Sequence, residues 1–527
     1  MGDEPHDLNP SACCSARRRS RGEPTATLLA RPRGGALVLS ATAAISLQLS
    51  GCRTYEPAPI EVSALREAFL ARTPESPEVA SFAASLAATK TADETEAPFD
   101  PSDGIDLAEA EPIALFLNPR LRERRAEAGV AEANAANAGL WPDPVLGLEF
   151  TRIIDSAVEP NELFGSVAFT IPISGRLEVE KERLGRAHAA ELARVAAMEW
   201  EVVSSLRAAW SEWTAERVLL EEASSFRARI DALLEVVDAM ESLGELSRVE
   251  GRLFRLERAK IDARLERLAS LVEASRLEVL RMMGLPPGSD PRLIPRHWTT
   301  GPFDAEATKT DPSDAAVAAS PTVAIALAEH EVAEKALEQE IRRQIPDLGV
   351  IPGYGTQDGL EQFTLGIALP LPIFNGNRQA IEAAVAARES ARIAVARAVE
   401  ELLADLVLAR VTVHSLARER TLVERDLVPL VDLQYAESRE LARLGEVDTL
   451  ILLDSLKQQH EAKVRLVEVR RDEVLAAIAV QALIGPPPAP TGDPAAVDAS
   501  ELDPSELDSG IGTTSPPSTT ESPERPS

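Results

Sequence analysis

Few side chains in this sequence are spaced for chemistry. Its six histidines (His6, His188, His297, His330, His414 and His460) are scattered, without the paired spacing a zinc site requires, and read as surface or tunnel residues. There is no P-loop and no nucleophile-elbow signature. Gly353-Tyr354-Gly355 with Gly359 has the wrong spacing for a dinucleotide fingerprint and reads as strand end and loop. No enzyme, cofactor or metal site is expected. The three cysteines, Cys13, Cys14 and Cys52, support no disulfide framework. Only Cys52 has an ordered context. Arg17-Arg18-Arg19-Ser20-Arg21 precedes an apolar stretch from Gly34 to Gln48, and small residues follow it. A basic region, a short apolar run and small residues in that order describe a secretory signal.

The junction Leu49-Ser50-Gly51-Cys52 resembles the bacterial lipobox. In that chemistry the Cys52 thiol takes a diacylglycerol, cleavage precedes the cysteine, and the freed amine is acylated. Several acyl chains together anchor firmly where one would bind only marginally. Residues 1–51 are then a signal peptide. Arg53 follows, not the aspartate that retains such proteins at the inner membrane, so the resemblance favours the outer membrane. The alternative is a buried cysteine after a short core helix, which leaves the ordered basic flank without a purpose.

Composition narrows the rest. The 527 residues carry 85 acids and 55 bases, a net charge of −30, which excludes nucleic-acid binding through a basic face. Residues 487–527 hold eight acids and one arginine among many Pro, Ser and Thr, and read as a disordered tail. The stretch Thr73–Leu107 is similar and reads as a loosely packed linker. Aromatics are only 4%, which suits long coiled-coil helices. After the start region there is no apolar run long enough for a transmembrane helix.

The chain is duplicated. Asn118-Pro119 recurs as Ser320-Pro321, Trp141-Pro142-Asp143 as Ile345-Pro346-Asp347, and Ile171-Pro172-Ile173 as Leu371-Pro372-Ile373. Leu243-Gly244-Glu245 recurs as Leu444-Gly445-Glu446, and Gly284-Leu285-Pro286 as Gly485-Pro486-Pro487. All five offsets fall between 200 and 204 residues, in order. The copies span 107–287 and 313–486, with linkers at 52–106 and 288–312.

Each copy predicts the same elements. A helix of about thirty residues ends before Pro142, or before Pro346. Strands follow over 145–153 and 165–173, then over 347–355 and 362–370, with short polar loops at Asp155–Leu163 and Thr356–Glu361. Leu146, Leu148 and Phe150 alternate onto one face, as do Val167, Phe169 and Ile171. In the second copy the sets are Leu348, Val350 and Tyr354, then Phe363, Leu365, Ile367 and Leu369. From Leu177 to Leu243 there is no proline, and apolar residues step by four and three, as in a coiled-coil seam (Val202, Leu206, Ala209, Trp213). Leu402, Leu406, Ala409 and Val413 repeat it. Gly244 and Gly445 break these helices; Ser247 with Glu250 forms a capping box, and Asp448 caps the second returning helix. Four lipid-suited strands cannot close a barrel, and hydrocarbon does not tolerate an open edge, so several copies must close one cyclically.

This ordered set of motifs resembles the outer-membrane efflux protein (TolC-like) family over roughly residues 107–485. The resemblance implies a mainly α fold with a small β part: a duplicated long-helix coiled coil forming a periplasmic tunnel, and four membrane strands per chain closing a barrel in a homotrimer. It implies the outer-membrane channel of a tripartite efflux system, anchored in outer-membrane lipid and partnered by a periplasmic adaptor and an inner-membrane resistance-nodulation pump. Adaptor docking falls on the helical tips, here Gly244 with Ser247 and Gly445 with Asp448; Asp448 departs from the family's Ser or Thr. Acids that narrow the periplasmic mouth correspond to Asp238, Glu241, Glu437 and Glu440, which also read simply as a solvated helix face. The stretch Leu369–Arg378 is most similar to the branch serving heavy-metal (cobalt–zinc–cadmium) pumps. A different reading, a lipid-anchored periplasmic coiled-coil tether, leaves the amphipathic strand pairs without a role.

Overall fold

The computed structural model describes residues 55–89, 99–152, 161–295, 314–357, 360–444 and 449–486. Cys52, Gly445, Asp448 and the acidic tail lie outside them. Short helices α1 (Val62–Leu70) and α2 (Pro77–Thr89) precede the first copy. That copy holds α3 (Leu107–Leu117), α4 (Pro119–Ala136), β1 (Val145–Arg152), β2 (Asn161–Ile171), α5 (Arg176–Leu243) and α6 (Arg248–Met283). The second holds α7 (Asp314–Ala319), α8 (Pro321–Arg342), β3 (Leu348–Gln357), β4 (Leu360–Ala368), α9 (Arg378–Leu422), α10 (Val428–Arg443) and α11 (Thr449–Ile484). The fold is mainly helical with one four-stranded antiparallel sheet.

The helix expected before Pro142 is two helices. Pro119 disfavours a helical Asn118, which sits at ψ 124° and caps α4 by accepting hydrogen bonds from the Arg120 and Leu121 amides at 3.0 and 3.3 Å. Its Nδ2 donates to the Met282 carbonyl at 2.9 Å, so the start of α4 meets the end of α6. The second copy does the same with different chemistry: Ser320 Oγ donates to Leu483 O at 2.8 Å. Two shorter helices therefore meet end to end beside one long helix in each copy. Gly284 closes the first junction at φ +74°, where a Cβ would be driven into the Leu117 carbonyl. Gly485 closes the second at φ +89°, where an added Cβ would sit 3.1 Å from Ala319 O. The Asn-Pro and Gly-Leu-Pro landmarks of the sequence are the two sides of one joint.

The main core lies at that joint. Val202, Leu206, Trp210 and Trp213 of α5 are buried against Ile113 and Leu117 of α3 and against Val279, Leu280 and Met283 of α6. Burying a side chain of this size stabilises by roughly 1.5–3 kcal/mol. The two tryptophan rings meet edge to face at 5.5 Å. The same cluster corrects the expected loosely packed linker at Thr73–Leu107. Val79 of α2 and Ile105 are fully buried in it, with Leu293 from the stretch between the copies. The Ile105 amide donates to Arg292 O at 2.8 Å, and Ile105 O accepts from the Ile294 amide at 2.8 Å. Low apolar content hid a few well-placed anchors.

The long helix α5 has 68 residues, about 100 Å at 1.5 Å per residue. Its counterpart is interrupted: a π-helical turn at Val423–Leu427 separates α9 from α10. Pro429 supplies the reason, since it has no amide hydrogen and its ring crowds the carbonyl four residues back.

In the sheet, β1 pairs with β2, β2 with β3 and β3 with β4. The registers Leu146↔Val167, Phe169↔Val350, Val350↔Ile367 and Tyr354↔Phe363 put every expected apolar strand set on one face. The other face carries Gly147, Glu149, Ser166, Thr170, Gly353, Thr364 and Gly366. Gly353-Tyr354-Gly355 is strand interior, not strand end and loop. The Phe164 ring lies across Gly353 and Gly355; a Cβ at Gly355 would sit 2.6 Å from Phe164 Cδ2. The expected Thr356–Glu361 loop is also largely strand, because Thr356 pairs with Glu361 and Gln357 with Leu360. The Asp358-Gly359 dipeptide between them, a tight-hairpin signal, was the sequence cue for this.

Gly284→Val is expected to destabilise the fold by about 2–4 kcal/mol through a left-handed β-branched residue and overpacking at the joint. Gly185→Ala, with nothing within 4 Å of the added carbon, should be neutral or stabilising by up to about 1 kcal/mol. Thermal melts followed by circular dichroism decide this; equal midpoints for the two variants would contradict the close approach.

Candidate functional site

The sheet offers the first functional surface. Leu146, Leu148, Phe150, Tyr354, Phe363, Leu365 and Ile367 are between 57% and 74% exposed on its apolar face. An exposed apolar surface this continuous marks an interaction site rather than a solvated sheet. Strands of 8 to 11 residues match the length that crosses hydrocarbon when tilted. Among the described residues, β1 and β4 each keep one edge unpaired. Among the described residues, no helix is long and apolar enough to cross a membrane.

The far end of α5 is the second surface. Gly244 ends the helix at φ +77°, its amide donating to Glu241 O at 3.2 Å. An added Cβ there would meet open space, so the glycine answers a backbone need and not a lack of room. Ser247 and Glu250 form the expected capping box, at 3.2 and 2.9 Å. Leu243 and Val249 flank the turn at 73% and 66% exposure. Gly445 and Asp448, the corresponding second-copy positions, lie outside the described residues.

The structure divides the four acids expected at the mouth. Asp238 and Glu241 share one guanidinium: Arg255 Nη2 reaches them at 2.6 and 2.7 Å. These hydrogen bonds, Glu241 first, hold Arg255 above its ordinary value. Gly251 makes the approach feasible, because a Cβ there would sit 2.7 Å from Glu241 Oε2. Glu440 lies 3.7 Å from Arg443, one helical turn away, and Glu437 is exposed. No three His, Cys, Asp or Glu among the described residues converge into a group that could hold a metal ion.

With that geometry in place, three solved structures are similar to the chain. The outer-membrane channel OprN is 15% identical with a TM-score of 0.62, over 83% of this chain and 99% of that one. The outer membrane protein VceC of Vibrio cholerae is 17% identical with a TM-score of 0.59, over 72% and 96%. The open-state outer membrane channel MtrE of Neisseria gonorrhoeae is 15% identical with a TM-score of 0.59, over 75% and 94%. The fold is that of outer-membrane channels. No protein-family model and no curated sequence matches the chain.

Within this fold, a polar seam around a buried histidine escaped the sequence reading. His460 of α11 was expected at a surface or in a tunnel, but it is only 4% exposed and stacks on Phe226 of α5 at 4.2 Å. Its Nδ1 lies 3.4 Å from Glu222, which also accepts from Arg229 at 2.9 Å. Arg229 continues to Gln459 at 2.5 Å, and Gln459 donates to Asp432 of α10 at 2.7 Å. The cue was spacing: His460 continues the Leu453, Leu456, Val464 stripe and so belongs to the packed seam. Burial alone would raise Glu222, but the His460 hydrogen bond and the charges of Arg229 and Lys463 outweigh it and hold the carboxyl below its ordinary value.

A lowered carboxyl contributes stability that is full above its unfolded pKa, about 4.5, and is lost as pH falls through the lower folded value. Glu222→Gln should therefore melt below the parent at neutral pH, and the gap should close in acid below that value. A gap that stays constant across this range would show that Glu222 acts by shape alone.

Proposed function

We propose that this chain is one subunit of a cyclic outer-membrane channel in an efflux system. It gives solutes delivered by an inner-membrane resistance-nodulation pump and a periplasmic adaptor a path to the exterior. The observation that carries this reading is the single apolar face running across all four strands, with an unpaired edge at each side. Hydrocarbon leaves no water to satisfy such edges, so the sheet is stable there only when copies close a ring. Three copies bring twelve strands, and the trimer is the assembly the family resemblance implies. The outer-membrane channels of similar fold support the same reading.

In this channel, α5 carries the wall about 100 Å from the sheet, far enough to meet an adaptor in the periplasm. Gly244 with Ser247, and Gly445 with Asp448, are the docking tips. Cys52 carries the lipid. The cargo is heavy-metal cations, on the similarity of Leu369–Arg378 to that branch; it passes as substrate through a solvated lumen and needs no resident site.

Mass measurement on detergent-extracted protein should give a trimer, with steady conductance in a planar bilayer; a non-conducting monomer would overturn the channel reading. Cys52→Ser should abolish acyl labelling while leaving the oligomer intact, and labelling that persists removes the lipid anchor. Gly244→Val combined with Gly445→Val should abolish crosslinking to the adaptor and lower export, with a normal oligomer. Full docking in that double variant places the contact elsewhere.

A further inference from the structure

We propose that Asp143 of one chain and Arg378 of its neighbour form the salt bridge that joins successive subunits beneath the sheet. This rests on the cyclic reading above and adds the identity of the contact. Its template lies inside the chain, where the first copy meets the second. Arg176, the first residue of α5, donates through Nε and Nη2 to Asp347 at 3.2 and 2.8 Å. Asp347 directly follows Pro346 and leads into β3, so one two-pronged pair fixes the end of β2 against the start of β3. The Asp347 hydrogen bonds hold Arg176 above its ordinary value, and both side chains are about four-fifths covered.

Duplication repeats both partners. Arg378 is the first residue of α9, as Arg176 is of α5. Each follows a residue in the left-handed conformation: Gly175 at φ +70° and Asn377 at φ +57°. Asp143 follows Pro142 and leads into β1, as Asp347 follows Pro346 and leads into β3. Within one chain these two cannot meet. β1 and β4 are at opposite edges of the sheet, about 14 Å apart at ordinary strand spacing. Both side chains are exposed, and neither has an ion-pair partner among the described residues.

Helix packing shows the same vacancy and says what fills it. α5 packs against α4 and α6 of its own copy and against α8 and α11 of the other. α9 packs against α8 and α11, and α10 against α11; among the described residues neither packs extensively against a helix of the first copy. The missing neighbours are α4 and α6, supplied by a second copy of this chain. α4 and α6 have faces to offer: Val130, Val249 and Leu256 are exposed there, while Val407, Leu408 and Val411 are exposed on α9. The register agrees. Transferring Phe169↔Val350 by the repeat offsets pairs Leu369 of one chain with Leu146 of the next. That keeps every apolar strand residue on the same face around the ring, whereas a one-residue slip would turn one subunit's apolar face inward.

The test uses the full-length protein extracted in detergent. Asp143→Arg and Arg378→Asp should each lower the oligomer fraction several-fold by mass measurement, and the two together should restore it. Asp143→Cys with Arg378→Cys should give interchain disulfide products up to the full ring on oxidation, absent from either single variant. A normal oligomer in which the swap restores nothing and the cysteines do not crosslink overturns this pairing and leaves the cyclic channel standing. A parent protein that is monomeric by mass overturns both.

Discussion

An unpaired backbone edge is tolerable in water and costs several kcal/mol per group in hydrocarbon. A sheet that, among the described residues, has four strands, one apolar face and two free edges is therefore an unfinished object in hydrocarbon, and much of the rest of the chain is consistent with completing it. The strand count is even and the order is a simple meander, so β4 of one copy and the β1 of another run antiparallel without any crossover. The duplication makes every joint around such a ring a variation on the one already present between β2 and β3. The opposite sheet face is kept small by Gly147, Gly353, Gly355 and Gly366, with the Phe164 ring laid over two of them. That is how a closed sheet keeps its inner surface from filling with side chains.

The helices solve a different problem, that of length without a thick core. A single helix of 68 residues has no hydrophobic stripe wide enough to stabilise it alone, and its stability comes from tertiary packing. Two shorter helices laid end to end beside it supply that packing, provided their junction leaves no orphaned carbonyls or amides. Asn118 and Ser320 meet this requirement, capping one helix or anchoring to the end of another. The glycines at 284 and 485 let the chains approach closely enough for it. The half-buried Glu222–Arg229–Gln459–Asp432 chain does comparable work between copies, fixing which faces meet where apolar packing alone would tolerate sliding.

Periodic features were legible in the sequence and contacts between distant residues were not. The duplication, the strand alternation and the seam of α5 all follow from spacing, because each is a local repeat of side-chain direction. The split at Asn118, the anchoring of Ile105 to Arg292 and the burial of His460 depend on what lies opposite, which no window along the chain contains. Even there the cues were partial, not absent. Pro119 disfavours a continuous helix through Asn118, Asp358-Gly359 signals a tight hairpin, and His460 sits on a leucine stripe. The linkers misled for another reason: average composition predicts whether a segment carries a core of its own, not whether one valine of it enters a neighbour's.

The same distinction governs the acids at the tips. From sequence alone, Asp238 and Glu241 read as charge facing water, a field that could draw cations toward the mouth. Both instead share Arg255 across the hairpin, so one of their two negative charges is offset at short range. Surface pairs of this kind add little stability, yet a guanidinium bridging two carboxylates fixes the rotation of α5 relative to α6 near the turn. Among the described residues, Glu437 and Glu440 have no such bridge across helices. Among the described residues, the two copies thus differ in how these acids are paired. The bridge in the first copy ties two helices together, whereas the Glu440–Arg443 pair stays within one helix.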